Sequence, residues 1–469
     1  MLGASVYVVP FMIQRNVPGI GDWVLPALLF AAIPAGLAAL AYSILSSAMP
    51  RAGGSYIYAS RGLHPWLGFV ASFSQWFGLS IVIGVIAYII VPFFRDIAIA
   101  LEWTELAALL ETGFVRVGLA LAMIWGFVGI NVMGAKAYER TLIPMMFLMF
   151  ALGSIVIVTG FLFNQADFMT ALMERENRSV SAGTSTFDIG TFLAAAAILF
   201  ASFIGFDAIA QAGGEAKNPG RNLPLAIGIA IITVGAYYFL FTAAVYHAVP
   251  WPFVAEEAVV RDITAPGLMG YLLPAGLGVA IVTGAAIALI NDLPAMLLSV
   301  SRLMFAWAED GIFPRWIAKV NPKHHTPLTA IILSGAMASI GILGSHFAGD
   351  FFLGIDIMVT SMLVNFLLMC LTVLSLPRRN PLLANEVKVL TSRPKQVLLA
   401  GVGVVMLTLF LVVHVYKDLT SDAAAWYFHS TPVWLIVMGL GTAIYVGELR
   451  KMKEEGVDTK ALFNRLPPE

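Results

Sequence analysis

Cysteine is nearly absent from this chain. Cys370 stands alone inside an apolar run, which excludes a disulfide framework. Charge is also scarce: Asp, Glu, Lys and Arg make up 12% of the 469 residues, against roughly a quarter in a soluble protein. With a net charge of −1 there is no basic surplus for binding nucleic acid. No basic stretch precedes the first apolar run, so no cleavable signal peptide is expected. No low-complexity tract stands out. HExxH, GxSxG with partners and aspartate-rich diphosphate motifs are missing, which argues against a membrane enzyme. His324-His325 lacks nearby cysteine or acidic partners and makes a weak metal site. His64 and His247 lie at segment ends and read as loop residues.

What the chain does contain is apolar sequence, 59% of it by residue. Runs of about 20 apolar residues can cross a bilayer. Such runs fall near residues 23–49, 66–94, 117–132, 142–163, 189–212, 223–249, 267–308, 328–347, 352–376, 397–415 and 432–447. A shorter one at 1–13 brings the count to twelve transmembrane segments. The run at 267–308 is about twice a crossing and reads as one long helix. Asn291-Asp292-Leu293-Pro294 is its nearest approach to a kink. The expected fold is an all-α polytopic membrane protein.

Charge sets the orientation. With the first loop outside, the outer side holds only Arg15, Arg95, Arg116, Arg175, Arg178, Arg261 and Lys417 of the 27 Lys and Arg residues. The other side holds the rest. Both ends of the chain are then cytoplasmic, and the basic tail at 449–469 reads as a solvated end.

One stretch breaks the apolar pattern. Phe200-Ala201-Ser202-Phe203-Ile204-Gly205-Phe206-Asp207 begins as a membrane helix and then meets a glycine and an acid. Glycine weakens a helix by about 1 kcal/mol relative to alanine. A carboxylate at the bilayer centre costs on the order of 3 kcal/mol. Such residues suit a broken helix lining a cavity, as at the substrate sites of secondary transporters. A packing glycine beside an interfacial acid is the alternative.

The stretch, continued by Gly214-Glu215-Ala216-Lys217-Asn218-Pro219 and Arg221-Asn222-Leu223-Pro224, resembles the sixth helix and following loop of the amino acid–polyamine–organocation (APC) transporters. Two further stretches resemble that family. Pro50-Arg51-Ala52-Gly53-Gly54-Ser55-Tyr56-Ile57-Tyr58 is similar to its loop between helices 2 and 3. Ser301-Arg302-Leu303-Met304-Phe305-Ala306, ending in Asp310-Gly311, is similar to the end of its helix 8 and is the most specific match. Leu376-Pro377-Arg378-Arg379 looks like the family's exit from helix 10. The family often carries an acid in helix 2, where this chain has Ile44.

The resemblance implies a LeuT-type 5+5 inverted repeat plus two C-terminal helices. Residues 1–163 would form the first repeat, 187–376 the second and 396–448 the last two helices, with 449–469 as the tail. Gly3-Ala4-Ser5-Val6 is similar to the unwound middle of helix 1, with Ser5 at the second glycine of the family pattern. The family's cytoplasmic half-helix would then lie upstream of Met1, so the first helix is expected to be N-terminally truncated. A reentrant N-terminus is the alternative.

The implied function is secondary active transport of amino acids across the cell membrane by alternating access. Broken helix ends leave backbone groups free for a substrate. Donors from Gly3, Ala4, Ser5 and Val6 suit a carboxylate, and carbonyls of Phe200, Ala201, Phe203, Ile204 and Gly205 suit an ammonium. Phe203 and Phe206 are candidate lids, although aromatic residues in a membrane helix more often serve packing. Ser72, Ser74, Gln75, Asn291, Asp292, Thr360, Ser361 and Asn365 are polar enough to face the cavity. Asp207, Arg302 and Asp292 are candidates for gating or coupling, with a structural role favoured for Asp207. Arg302 can latch an inner gate through Glu309 or Asp310.

Polyamine or other organic amine transport, or a transport-inactive sensor, are the alternatives, and Asp292 facing the cavity would favour a cation. The coupling ion is H+ or Na+, and exchange stays open. Some family members carry a lysine in helix 5, at a position that falls near Met149 here, and residues 142–163 contain none. Thr283 is a candidate hydroxyl for a sodium site. No other cofactor and no metal is expected. The expected partners are a small-molecule substrate and the lipid bilayer, at the plasma or inner membrane.

Overall fold

A computed structural model describes residues 5–180, 183–211, 213–348, 352–422 and 425–467. Among these residues every regular element is helical. The chain opens with α1 (Ser5–Asn16), α2 (Val24–Ala48), α3 (Gly54–Gly62), α4 (Pro65–Ala100), α5 (Thr104–Glu111), α6 (Gly113–Val132), α7 (Ala135–Leu162) and α8 (Gln165–Glu176). Next come α9 (Ile189–Leu199), α10 (Asp207–Gln211), α11 (Pro219–Ala248), α12 (Trp251–Val260), α13 (Ala265–Met269) and α14 (Ala275–Glu309). The last are α15 (Leu328–Ala348), α16 (Phe352–Arg379), α17 (Pro381–Asn385), α18 (Arg393–Thr420), α19 (Ser430–Glu454) and α20 (Thr459–Asn464).

Local sequence explains many of the boundaries. Pro65, Pro219 and Pro394 stand in first turns, where the missing N–H costs nothing. His64 is the N-cap of α4, its ring accepting from the Trp66 N–H, and is not merely a loop residue. Asn164 and Asp167 form a capping box on α8.

Ten helices among the described residues are long and apolar enough to cross a membrane. The two expected segments that fall short are the first and the sixth. The first is the 12-residue α1, and the sixth is divided between α9 and α10. The long run at 267–308 is corrected: α13 ends at Met269, and α14 starts afresh after Pro274. Pro274 gives α14 its start, and Pro294 sits inside an otherwise continuous helix.

The helix α4 lies at the centre, packed along α14, α15 and α16. α1 rests against α9, α11 and α12. Large apolar side chains such as Phe147, Ile232, Val405 and Leu440 remain exposed. In a membrane that surface faces lipid.

The expected outer surface carries an ion-pair network. Arg178 bridges Glu256 at 2.8 Å and Glu257 at 2.5 Å, and Arg261 reaches Glu257 at 2.7 Å. Burial alone would raise the Glu257 pKa. The two guanidinium groups outweigh it and hold the carboxyl below its ordinary range. A depressed carboxylate pKa stabilises the fold in full above the unfolded-state value, roughly 4.3. That contribution is lost as pH falls through the folded value. Thermal unfolding of Glu257→Gln is therefore expected to lie below wild type at pH 7, with the gap closing toward pH 3. A gap that stays constant with pH would contradict this.

Candidate functional site

The sixth segment comes apart where glycine meets acid. α9 ends at Leu199, and a 3₁₀ turn covers Phe200–Phe203. Ile204 is extended, and Gly205 has φ +126°. A residue with a Cβ is strained at that φ, and glycine is not. Helix resumes at Asp207.

Asp207 closes the break. Its Oδ1 accepts the Gly205 N–H at 2.9 Å, so the carboxylate replaces a hydrogen bond that the helix has lost. Its Oδ2 accepts from the Gln75 amide of α4. Gln75 Oε1 in turn accepts from Ser55 Oγ at 2.6 Å, Gln211 Nε2 at 3.1 Å and Asn365 Nδ2 at 2.7 Å. Asn365 Oδ1 accepts from Tyr42 at 3.0 Å. All six side chains are buried. A buried polar group without a partner is costly, and this network supplies partners from α2, α3, α4, α10 and α16.

Beside the break lies a cavity of about 100 Å³. The broken segment contributes Ala201, Ile204, Gly205, Asp207 and Ala208, and α1 contributes Val8 and Val9. Leu79, Val82, Val85, Ile86 and Ile89 of α4 form one wall. Leu289, Asp292, Met296 and Ser299 of α14, with Ile355 and Met358 of α16, form the other. Among the described residues, Asp207 and Asp292 are the charged lining groups, and no basic side chain lines the cavity.

Several expected site residues sit elsewhere. Gly3 and Ala4 lie outside the described residues, and Ser5 opens α1. Val6, Phe200 and Phe203 are buried and do not line the cavity. Phe200 packs edge-on to Phe366 and Phe410. Phe206 stacks on Phe366 at 5.0 Å, so it is a packing residue of α16 and not a lid. Ser72 binds Trp307, Ser74 binds Trp434 and the Ser361 carbonyl, and Thr360 meets Ser430. Asn291 is also buried off the cavity. Of the polar candidates in α14 and α16, Asp292 lines it.

The apolar wall residues were not singled out from sequence. They recur at helical spacing, but in a membrane helix nearly every position is apolar, so the stripe leaves no contrast to read. Thr283 donates to the Val279 carbonyl of its own helix at 2.8 Å.

The inner end is closed by α3. Gly53 has φ +78°, and a Cβ there would lie 2.3 Å from the Ala306 methyl group of α14. A Cβ on Gly54 would meet the Ala210 carbonyl oxygen at 2.7 Å. The glycine pair thus lets the loop press on α10 and α14 together. Asp310, expected to pair with Arg302, is instead held by Arg61 of α3 through contacts of 2.5 and 2.9 Å, and by Tyr56 Oη at 2.6 Å. Arg302 donates to Ser301 Oγ at 3.2 Å. The Arg61–Asp310 pair is fully buried.

The family model for amino acid permeases matches residues 1–440, and the chain belongs to that family. A vacuolar cationic amino acid transporter 4 of Arabidopsis thaliana is 26% identical over 351 residues, 72% of this chain and 55% of that protein. Cationic amino acid transporter 4 of Mus musculus is 27% identical over 361 residues, 72% of this chain and 52% of the mouse protein. An uncharacterized transporter of Mycobacterium tuberculosis is 25% identical over 346 residues, 72% of this chain and 69% of that protein. The chain spans about half the length of the two cationic amino acid transporters.

Gln75 has partners on more helices than Asn365, so the two should not be equivalent. Gln75→Leu leaves Asp207 short of a donor and Ser55, Gln211 and Asn365 short of an acceptor. Each buried group left unpaired costs about 1–3 kcal/mol. The apparent Tm of Gln75→Leu in detergent is expected several degrees below wild type and below Asn365→Leu. Equal Tm values would remove Gln75 from the centre of the network.

Proposed function

We propose that this amino acid permease is a secondary carrier that moves an amino acid across the plasma or inner membrane by alternating access. The substrate sits between the start of α1 and the break in the sixth segment. The observation that carries this reading is the interruption at Gly205 beside a cavity lined by both segments. Backbone freed at such breaks replaces the water that a charged substrate leaves behind. N–H groups at the start of α1 suit a carboxylate. Carbonyls around Ile204 suit an ammonium. The aliphatic walls from α4 and α16 take the side chain. An inverted repeat across the two halves of the chain would let α3 and α10 swing the inner end open.

The charge of the cavity refines the substrate. Asp207 is committed to the Gly205 N–H and to Gln75. Asp292 faces the cavity from α14. Acidic residues in the lining, with no basic residue among the described lining residues, favour a substrate with a second positive charge. The names of the plant and mouse relatives agree with that choice. The same pair of acids supports a second reading, a polyamine or other organic amine, which makes no use of the donors at α1. The coupling ion is H+ or Na+. Buried Met149 occupies the neighbourhood where a helix-5 lysine switch would stand, so coupling rests on other groups.

Uptake into proteoliposomes distinguishes these readings. Labelled lysine, arginine, leucine and putrescine are offered under separate pH and sodium gradients. Lysine or arginine uptake is expected, with one gradient stimulating it. Gly205→Leu should abolish transport, because leucine cannot hold φ +126° without strain. Asp292→Asn should weaken uptake of cationic substrates roughly tenfold or more, the scale of a hydrogen bond to a charged group. It should affect leucine less. Putrescine as the preferred substrate would favour the amine reading. No uptake or exchange of any amino acid or amine would sink the carrier reading and leave a sensor.

A further inference from the structure

A second cleft lies on the side that the charge asymmetry assigns to the cytoplasm. It is formed where α4 begins, where α16 and α19 end, and where α20 folds back. Its volume is about 420 Å³, room for a lipid headgroup. His64, Arg379, Lys453 and Lys460 line it, with Arg61 among the buried residues at its base. No carboxylate is among the described lining residues. Arg61 is already taken by Asp310. Arg379, Lys453 and Lys460 are exposed and have no ion-pair partner among the described residues. Three like charges gathered on one cleft repel one another unless an anion neutralises them.

One wall of the cleft is apolar. Tyr445 and Leu449 of α19 contribute to it. Trp66 stands next to its lining residue Pro65, partly exposed, its indole N–H donating to Thr442 at 3.4 Å. Exposed tryptophan at a helix end is characteristic of the membrane interface. Leu440 and Ile444 continue the exposed apolar face of α19. A basic cleft joined to a lipid-facing helix fits a molecule with an anionic head and an acyl chain, and basic pockets at the cytoplasmic ends of membrane helices suit lipid phosphates.

We propose that this cleft binds the phosphate of an anionic membrane lipid through Arg379, Lys453 and Lys460. The bound lipid would also hold the C-terminal segment on the inner gate. Thr459, Lys460, Phe463 and Asn464 of α20 are part of the cleft wall. The backbone that follows is gripped by gate residues: Asn380 donates to the Asn464 carbonyl at 3.1 Å, Arg61 to Arg465 at 3.2 Å and Arg51 to Pro467 at 3.1 Å. Arg61 therefore binds Asp310 of the gate and the tail at once. Neutralising Lys453 and Lys460 removes the repulsion that opposes this docking.

Native mass spectrometry of the delipidated full chain tests the site, with phosphatidylglycerol, phosphatidylcholine and inorganic phosphate as probes. One tightly bound phosphatidylglycerol is expected, with phosphatidylcholine and phosphate at least tenfold weaker. The triple variant Arg379→Gln, Lys453→Gln, Lys460→Gln should bind phosphatidylglycerol more than tenfold more weakly. Each single variant should weaken it roughly fivefold, the scale of one basic residue at an anionic surface. The singles keep the test decisive should the triple variant be poorly folded. Arg61 and His64 stay untouched because they hold the gate and cap α4. Binding of phosphatidylglycerol that survives in the variants would overturn the proposal, and so would equal binding of phosphatidylcholine. Inorganic phosphate binding as tightly as the lipid would overturn the lipid assignment in favour of a free anion.

Discussion

The Asp207 carboxylate is the point on which this structure turns. Backbone exposed in a bilayer must find partners within the protein, because no water reaches it there. The break at Gly205 is tolerated because Asp207 accepts the Gly205 N–H and is itself anchored by Gln75. Gln75 draws in Ser55, Gln211, Asn365 and, through Asn365, Tyr42. The cavity lies beside a helix that stops, and Asp207, which bonds the freed Gly205 N–H, is held in place by Gln75 and the side chains bonded to it.

The same physics recurs at the inner end. A buried ion pair contributes little net stability, since desolvation offsets most of the attraction. Its value is in geometry. Arg61 and Tyr56 both hold Asp310, which fixes α3 against the end of α14. The Gly53-Gly54 pair lets the loop approach both α10 and α14 without a Cβ in the way. The loop, the second half of the broken segment and the gate helix therefore form one block.

Much of this was legible because membrane sequences obey few rules strictly. The apolar runs located the spanning helices, and the two that fall short of a full crossing are the first and the sixth. The glycine and acid after Phe203 announced the break. Other parts were not legible. Arg302 of α14 and Arg61 of α3 are both basic residues near helix ends, and nothing local says that Asp310 takes Arg61. The tail at 449–469 reads as solvated, yet Phe463 is buried and three carbonyls near the terminus are bonded to the gate. Phe206 looks like a lid, and its ring lies on Phe366.

The sequence by itself determined the class, the apolar segments and the site of the helix break, since each follows from composition or from one residue's backbone limits. Tertiary structure alone decided which side chains meet. The polar residues Ser72, Ser74, Gln75 and Asn365 bond partners on neighbouring helices, while aliphatic residues of α4 and α16 line the cavity. In a helix that is apolar on every face, periodicity cannot distinguish the wall of a cavity from the surface against lipid. Packing against the neighbouring helices makes that choice.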